Sequence, residues 1–381
     1  MDSCTGGLAL ALSGGAARAA YQAGVLRGLA SFAPQLAPQV LTGVSAGGIN
    51  TAFLAASELS FTATAEALVD LWSRMSVERV FSVHTSALAW NVARWGTRLL
   101  AGKRGGTLHT RGLVDTKPLR GFLCEALRTE GARIPGIAAS LVRGPLRSVA
   151  ITASSYSSSQ SITWVQGRCP ADWERSHRRS VETELGVDHI LASASLPLFF
   201  PAVHVAGEWY GDGGIRLTHP LSPAVHLGAD RILAISVRTR AGRDAPHFPA
   251  DAADGYPSPA HIIGQLHQAI FLDQFEEDAE QLRRTNRMLE KMPPEERGEL
   301  RHIGILVLRP SVDLGELAGQ HEPKLPRVFR YLVRGLGTTE SQGHDALSLV
   351  MFQPDYLQHL IEIGERDTLA RREEIERFLA G

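Results

Sequence analysis

Three short stretches of this chain hold residue types that could do acyl chemistry together. The first is Gly43-Val44-Ser45-Ala46-Gly47. A serine hydroxyl is a weak nucleophile until a base takes its proton. It must also stand clear of the backbone, which a sharp strand-to-helix turn achieves and flanking glycines permit. Ser45 has that context, with an apolar run at 40–42 before it and a small-residue run at 46–59 after it. Amides at the start of such a helix also favour negative charge. The same five residues fit a plain strand–turn–helix junction with Ser45 as N-cap, so the pattern needs partners.

Ser13-Gly14-Gly15-Ala16-Ala17-Arg18 follows the apolar run Leu8–Leu12. Two glycines let the backbone turn its N–H groups toward a ligand, and preorganised amides stabilise the oxyanion of ester hydrolysis. Gly14, Gly15 and Ala16 are the expected donors. Arg18 is expected to brace the loop by hydrogen-bonding its carbonyls. A nucleotide-binding loop would need Gly-x-Gly-x-x-Gly or a following Gly-Lys-Ser/Thr, and neither is present. A tight turn without a ligand is the bland alternative.

The third stretch is Trp209-Tyr210-Gly211-Asp212-Gly213-Gly214, after a short strand candidate. Asp212, if desolvated and close, could serve as base toward Ser45. Asp-Gly is also a strong turn signal, and taken alone a hairpin turn is the better reading. A Ser-Asp-His triad is the rival, since histidines from His219 to His359 follow Asp212 in the order that α/β-hydrolases use. That fold builds several strands before its elbow, whereas Ser45 follows only the second strand. No later histidine sits in a glycine-flanked loop like that of Asp212.

The elements that must place these stretches read as strand, glycine turn, helix, strand, glycine turn, helix over the first sixty residues. That order predicts an α/β fold with a parallel sheet. Neighbouring parallel strands deliver their C-terminal loops to one edge, so 13–18 and 43–47 would lie side by side. Further strands are expected at 148–153, 161–165, 231–237 and 303–308. Helices are expected at 18–29, 61–75, 115–128, 219–228, 258–290, 326–336 and 354–379. Residues 239–259, rich in Gly, Pro, Ala and Asp, read as a long loop.

Composition sets the outer bounds. The 381 residues are 44% hydrophobic and 21% charged, as in a soluble globular protein with a sizeable core. With 39 basic and 40 acidic residues the net charge is -1, which argues against a dedicated nucleic-acid binder. The three cysteines, Cys4, Cys124 and Cys169, are odd in number and far apart. They predict reduced thiols in a cytosolic compartment, without a disulfide framework or a zinc site. The N-terminus lacks the basic n-region of a secretory signal, and no apolar run is long enough to span a bilayer.

Four blocks, in order, resemble the bacterial branch of the patatin-like phospholipases. They are 10–26 (LALSGGAARAAYQAGVL), 43–48 (GVSAGG), 192–201 (ASASLPLFFP) and Gly211-Asp212-Gly213-Gly214 with 220–230 after it. The resemblance covers about 8–240. It implies a three-layer α/β/α fold with a mostly parallel central sheet, a catalytic domain at 8–240 and a mostly helical extension at 241–381, packed on the same domain with one strand near 303–309. It implies a Ser45–Asp212 dyad without histidine, an oxyanion hole from Gly14, Gly15 and Ala16 with Arg18 beside them, and an elbow framed by Gly43 and Gly47. It implies hydrolysis of phospholipid or other acyl esters without metal or cofactor. Acyl transfer by the same dyad, and a catalytically inactive lipid-binding protein, are the competing functions. Two departures stand out, since the family usually has glycine where this chain has Ala16 and often where it has Ala19. Alanine resists positive φ, so a left-handed backbone at 16 would tell against the loop, and such a backbone is not expected.

Residues 80–104 mix Trp90, Trp95, Leu99 and Leu100 with Arg94, Arg98, Lys103 and Arg104. They suit a helix at a lipid interface or a lid over the site, and peripheral membrane contact from the cytoplasm is the expectation they carry. The apolar positions of 354–379 predict core packing or a homodimer contact.

Overall fold

A computed structural model describes residues 4–81, 114–169, 172–197, 199–239, 262, 265, 273–325, 330 and 344–381. The segment expected at the lipid interface lies outside them beyond residue 81, as do most of the 239–259 loop, nearly all of the 326–336 helix and the first part of the 258–290 helix.

The apolar run Leu8–Leu12 is strand β1, buried along its whole length. A 3-10 turn at Ala16–Ala19 leads into helix α1, Ala20–Phe32. Strand β2, Val40–Val44, runs straight into α2, Ala46–Ala56, and α3 follows at Phe61–Ser73. Helices α4, Lys117–Ala126, and α5, Pro135–Arg143, precede the β3–β4 hairpin, Ser148–Ser155 and Ser161–Gly167. Next come β5, Glu174–Arg175; β6, Arg178–Glu182; α6, Val187–Ser193; β7, Val203–Val205; and β8, Glu208–Asp212. The rest comprises α7, Ser222–His226; β9, Arg231–Ile235; α8, Asp273–Leu289; β10, Gly304–Leu308; α9, Leu314–His321; α10, His344–Val350; α11, Pro354–Ala370; and α12, Arg372–Ala380.

The described strands form one mixed sheet in the order β10-β9-β1-β2-β3-β4-β6-β5, with β8 paired to both β3 and β7. Strands β10, β9, β1, β2 and β3 are mutually parallel. Two apolar clusters flank the sheet, which explains why β1 and β2 are apolar at nearly every position. The α/β expectation therefore holds, and helices cover both faces of a mostly parallel sheet.

The C-terminal part is built into this core. Strand β10 extends the sheet beyond β9. Helices α1 and α11 cross almost backbone to backbone, because a Cβ on Gly24 would collide with the Ile361 carbonyl and one on Gly364 with the Tyr21 carbonyl. The helix expected over 354–379 breaks at Arg371. Its guanidinium bonds the Val307 carbonyl and Glu374 there, and α12 then turns to lie along β10.

Two edge strands escaped the sequence reading, and the strand candidate before the Asp212 turn is a pair of short strands. Strands β5 and β6 carry Glu174, Arg175, Arg178 and Arg179 at a partly solvated sheet edge, so no apolar run marks them. Strands β7 and β8 are three and five residues of mixed polarity.

The cysteine reading is overturned. Cys4 and Cys169 form a disulfide, with Cα atoms 5.7 Å apart, and Cys124 alone is free. Their separation of 165 residues hid a pairing that β-sheet topology creates: Arg147, beside the partner end of the β3–β4 hairpin, bonds the Thr5 and Gly6 carbonyls. Disulfides persist in oxidising compartments, so the bridge weighs against the cytosolic expectation. Thiol titration of the denatured, unreduced chain is expected to count one reactive sulfhydryl, and three after reduction. Reduction should lower stability by about 2–4 kcal/mol, read as an earlier denaturant midpoint.

Candidate active site

Two strand ladders set the site. Val44 pairs with Thr152 across β2 and β3, and Ala153 pairs with Asp212 across β3 and β8. Those registers put the residue after β2 beside the last residue of β8. Ser45 Oγ donates to Asp212 Oδ2 at 2.6 Å, across 167 residues of sequence. Ser45 is 5% exposed and Asp212 fully buried. Among the described residues no histidine hydrogen-bonds either one.

The turn at Ser45 is strained, with φ 55° and ψ −131°, a region that L residues rarely occupy. Such a conformation costs about 1–3 kcal/mol and persists only where neighbours enforce it. The enforcement is visible. The Ser45 N–H donates to Ser193 Oγ at 2.9 Å, and Ser193 Oγ donates to the Thr152 carbonyl at 2.7 Å. Gly43 and Gly47 sit where the turn has no room for a side chain. A Cβ on Gly43 would collide with Thr51 Oγ1 and the Gly47 carbonyl, and one on Gly47 with the carbonyls of Leu12 and Ser13.

Asp212 has few partners for a buried carboxyl. Oδ1 accepts from the Gly214 N–H at 2.9 Å, Oδ2 takes the Ser45 hydroxyl, and its own N–H donates to the Ser195 carbonyl at 3.0 Å. Burial pushes the carboxyl up from 3.8 to about 7, against the hydrogen bonds from Ser45 and Gly214, which favour the anion.

The 13–18 loop lies beside the turn, as parallel β1 and β2 require. A Cβ built on Gly14 would sit 3.0 Å from Ser45 Cβ, so only glycine leaves that approach open. Gly14 and Gly15 are buried, yet the N–H groups of Gly14, Gly15 and Ala16 have no acceptor among the described residues. Buried amides without partners are rare, and here two of them, with the partly buried Ala16 amide after them, lie beside the serine, where negative charge would be stabilised.

Two expectations about this loop fail. Ala16 does take a left-handed backbone, with φ 48°, the conformation expected to tell against the loop, yet its N–H still has no acceptor among the described residues. Arg18 does not brace the loop's own carbonyls. Its Nε donates to Ser348 Oγ at 2.6 Å and its Nη2 to Asp345 Oδ1 at 2.7 Å, so it ties the loop to α10. The reason is direction, because the 3-10 turn carries the Arg18 side chain into the core, where it is 4% exposed.

A cavity of about 30 Å³ adjoins Ser45, walled by Ile49, Trp72, Met75, Leu196, Phe200 and Phe352 among others. Its walls are almost wholly apolar, and its volume is about that of one water molecule in the liquid. Val80 and Phe81, at the start of the segment expected to contact lipid, are buried, and Val80 lines this cavity. A larger cavity, about 470 Å³, opens between the 34–38 loop and α5, away from Ser45 and Asp212.

The sequence reading missed Ser193, Ser195 and the partners of Arg18. The 192–201 block pointed to the first two only as part of a resemblance. Nothing local marks Asp345 or Ser348.

A family model described as patatin-like phospholipase matches residues 10–225. No curated protein matches the sequence. Among solved structures the chain is similar to VipD from Legionella pneumophila, with 10% identity and a TM-score of 0.36 over 91% of this chain and 66% of that one. It is also similar to human GIVD cytosolic phospholipase A2 bound to methyl gamma-linolenyl fluorophosphonate, with 12% identity and a TM-score of 0.45 over 100% of this chain and 59% of that one. It spans less than two thirds of either protein, and both likenesses are too distant to carry an argument about the site. The family match takes in the 13–18 loop, Ser45 and Asp212 and more than half of the sequence, and the chain belongs to the patatin-like phospholipases.

Proposed function

We propose that the chain is a serine hydrolase of lipid acyl esters that works with a Ser45–Asp212 dyad. The observation that carries this reading is the 2.6 Å bond from Ser45 Oγ to a buried carboxylate whose only other described donor is one backbone amide. A carboxylate stripped of water is a stronger base, and raising it to about 7 matches it to work near neutral pH.

The steps follow from the groups present. Ser45 Oγ attacks the ester carbonyl carbon while its proton passes to Asp212 Oδ2. The carbonyl oxygen gains charge and takes hydrogen bonds from the N–H groups of Gly14, Gly15 and Ala16. The tetrahedral intermediate collapses to an acyl-serine, and the leaving alkoxide takes the proton from Asp212. Water then attacks the acyl-serine, losing a proton to Asp212, and Asp212 returns that proton to Ser45 Oγ as the acyl–oxygen bond breaks and the free acid leaves. The apolar wall of the small cavity suits an acyl chain.

Ser45→Ala and Asp212→Asn should each lower kcat on a nitrophenyl ester by about 10³–10⁴-fold with folding intact. Near-wild-type turnover in either variant would remove the dyad.

The raised carboxyl gives two linked pH effects. Only the anion can take the serine proton, so kcat/KM should fall below an apparent pKa near 7. A profile still flat at pH 5 would contradict that. For stability the sign is opposite: between 3.8 and about 7 the folded chain holds a proton that the unfolded chain has lost. Stability contributed by Asp212 is therefore full below 3.8 and lost as pH rises through about 7. Asp212→Asn should accordingly melt at a higher temperature than the wild type at pH 8, and the gap should shrink at pH 4.

Ala16→Gly relieves a left-handed alanine. It should stabilise the chain by about 1 kcal/mol, read by thermal melting, without lowering kcat. A loss of stability would mean that the backbone at 16 is not strained.

A further inference from the structure

A fully buried chain of polar side chains runs behind the site and has no part in the steps above. Trp72 Nε1 donates to Asn50 Oδ1 at 2.7 Å. Asn50 Nδ2 donates to Gln22 Oε1 at 2.8 Å. Gln22 Nε2 donates to the Ser13 carbonyl at 2.8 Å. Trp72 is 1% exposed and Asn50, Gln22 and Ser13 are 0% exposed. The chain joins α3, α2 and α1 to the loop that holds Gly14.

Its polarity is fixed at one end. An indole N–H can only donate, so Trp72 compels Asn50 to present its oxygen to α3 and its NH₂ to Gln22. Gln22 must then accept with Oε1 and turn its own NH₂ to Ser13. The spare N–H bonds support the same orientation, since Asn50 Nδ2 also donates to the Ala19 carbonyl at 3.2 Å and Gln22 Nε2 to that of Ile235 at 3.4 Å.

The Ser13 carbonyl belongs to the same planar peptide as the Gly14 N–H. In a trans peptide those two groups point in opposite directions. Holding the carbonyl toward Gln22 therefore holds the Gly14 N–H away from it. Gly14 lies against Ser45 and that N–H has no acceptor among the described residues.

We infer that Trp72, Asn50 and Gln22 are positioning residues that lock the Ser13–Gly14 peptide plane in the orientation that presents the Gly14 N–H to the oxyanion. This rests on the proposed dyad reading, in which Gly14 is an oxyanion donor. Gly14, on one side of this peptide, has no Cβ to restrict its φ, so the plane has little intrinsic preference and an external hold matters. Trp72 also walls the cavity at Ser45, so the same residue meets the acyl chain and ends the relay.

The test uses Gln22→Met, which keeps length and removes the amide, and Trp72→Phe, which keeps an aromatic wall and removes the donor. The readouts are kcat and KM on a nitrophenyl ester, and the Ki of an alkyl trifluoromethyl ketone, which forms an oxyanion on an active serine. Gln22→Met should lose about 10–100-fold in kcat with KM within about twofold, Trp72→Phe should lose a similar factor in kcat whatever its effect on KM, and Ki should rise in proportion to the fall in kcat/KM. A folded Gln22→Met or Trp72→Phe with wild-type kcat would overturn the lock. So would a fall in kcat with Ki unchanged, because an aligned oxyanion donor would then be intact. If one variant fails to fold, the other decides. Should the wild-type chain itself neither turn over the ester nor bind the ketone, the dyad reading fails first. Active wild type with unaffected variants rejects the relay alone.

Discussion

Asp212 is a carboxylate buried with no countercharge beside it among the described residues, and much of the surrounding structure is a consequence of placing it there. An ion in that position is poorly solvated and would rather be protonated, which is why its carboxyl sits near 7. Its useful partner is the hydroxyl of Ser45, and the bond between them depends on two ladders meeting at β3. Ser193 and Ser195 then fix the backbone on each side. Ser193 takes the Ser45 N–H and the Ser195 carbonyl takes the Asp212 N–H, so one short segment of chain aligns both members.

This arrangement concentrates strain. Ser45 and Ala16 both have positive φ, and neither is glycine. Each costs about 1–3 kcal/mol that the surrounding structure must offset. The offset comes from packing elsewhere. Helices α1 and α11 approach closely enough to exclude a Cβ at Gly24 and Gly364, and α1 follows directly from the strained loop. Arg18, at the end of that loop, anchors it to α10 through a salt bridge that is largely sheltered from water. Removing one partner of such a pair leaves a buried charge behind, so the tie resists being undone.

The sequence made the chemistry legible where it is local. The turn at 43–47 and the glycine pair at 14–15 announce themselves by residue type and by the apolar runs before them. The α/β order of β1, α1, β2 and α2 follows from the same runs. Asp212 was weaker, because Asp-Gly alone reads as a turn, and only its company in four ordered blocks raised it above that. What stayed hidden is whatever depends on contacts across the chain. The Cys4–Cys169 bridge spans 165 residues, and the Arg18–Asp345 pair spans 327. No periodicity encodes either. The left-handed backbone at Ala16 was also misjudged, since an alanine in the sequence gives no sign that its neighbours will force it there.

The C-terminal third bears on the site more directly than a helical extension would suggest. Phe352 follows α10 and walls the cavity at Ser45, while Asp345 and Ser348 in α10 hold Arg18. One helix thus touches the 13–18 loop and leads into the wall of the cavity at Ser45. The cavity at Ser45 is small, about 30 Å³, and its lining is drawn from distant parts of the chain. Trp72 sits on α3, which packs on α1, α2 and α11, and Phe352 lies in the short segment between α10 and α11. The cavity beside Ser45 is thus walled by residues far apart in sequence, Trp72 and Phe352, both buried in one apolar cluster.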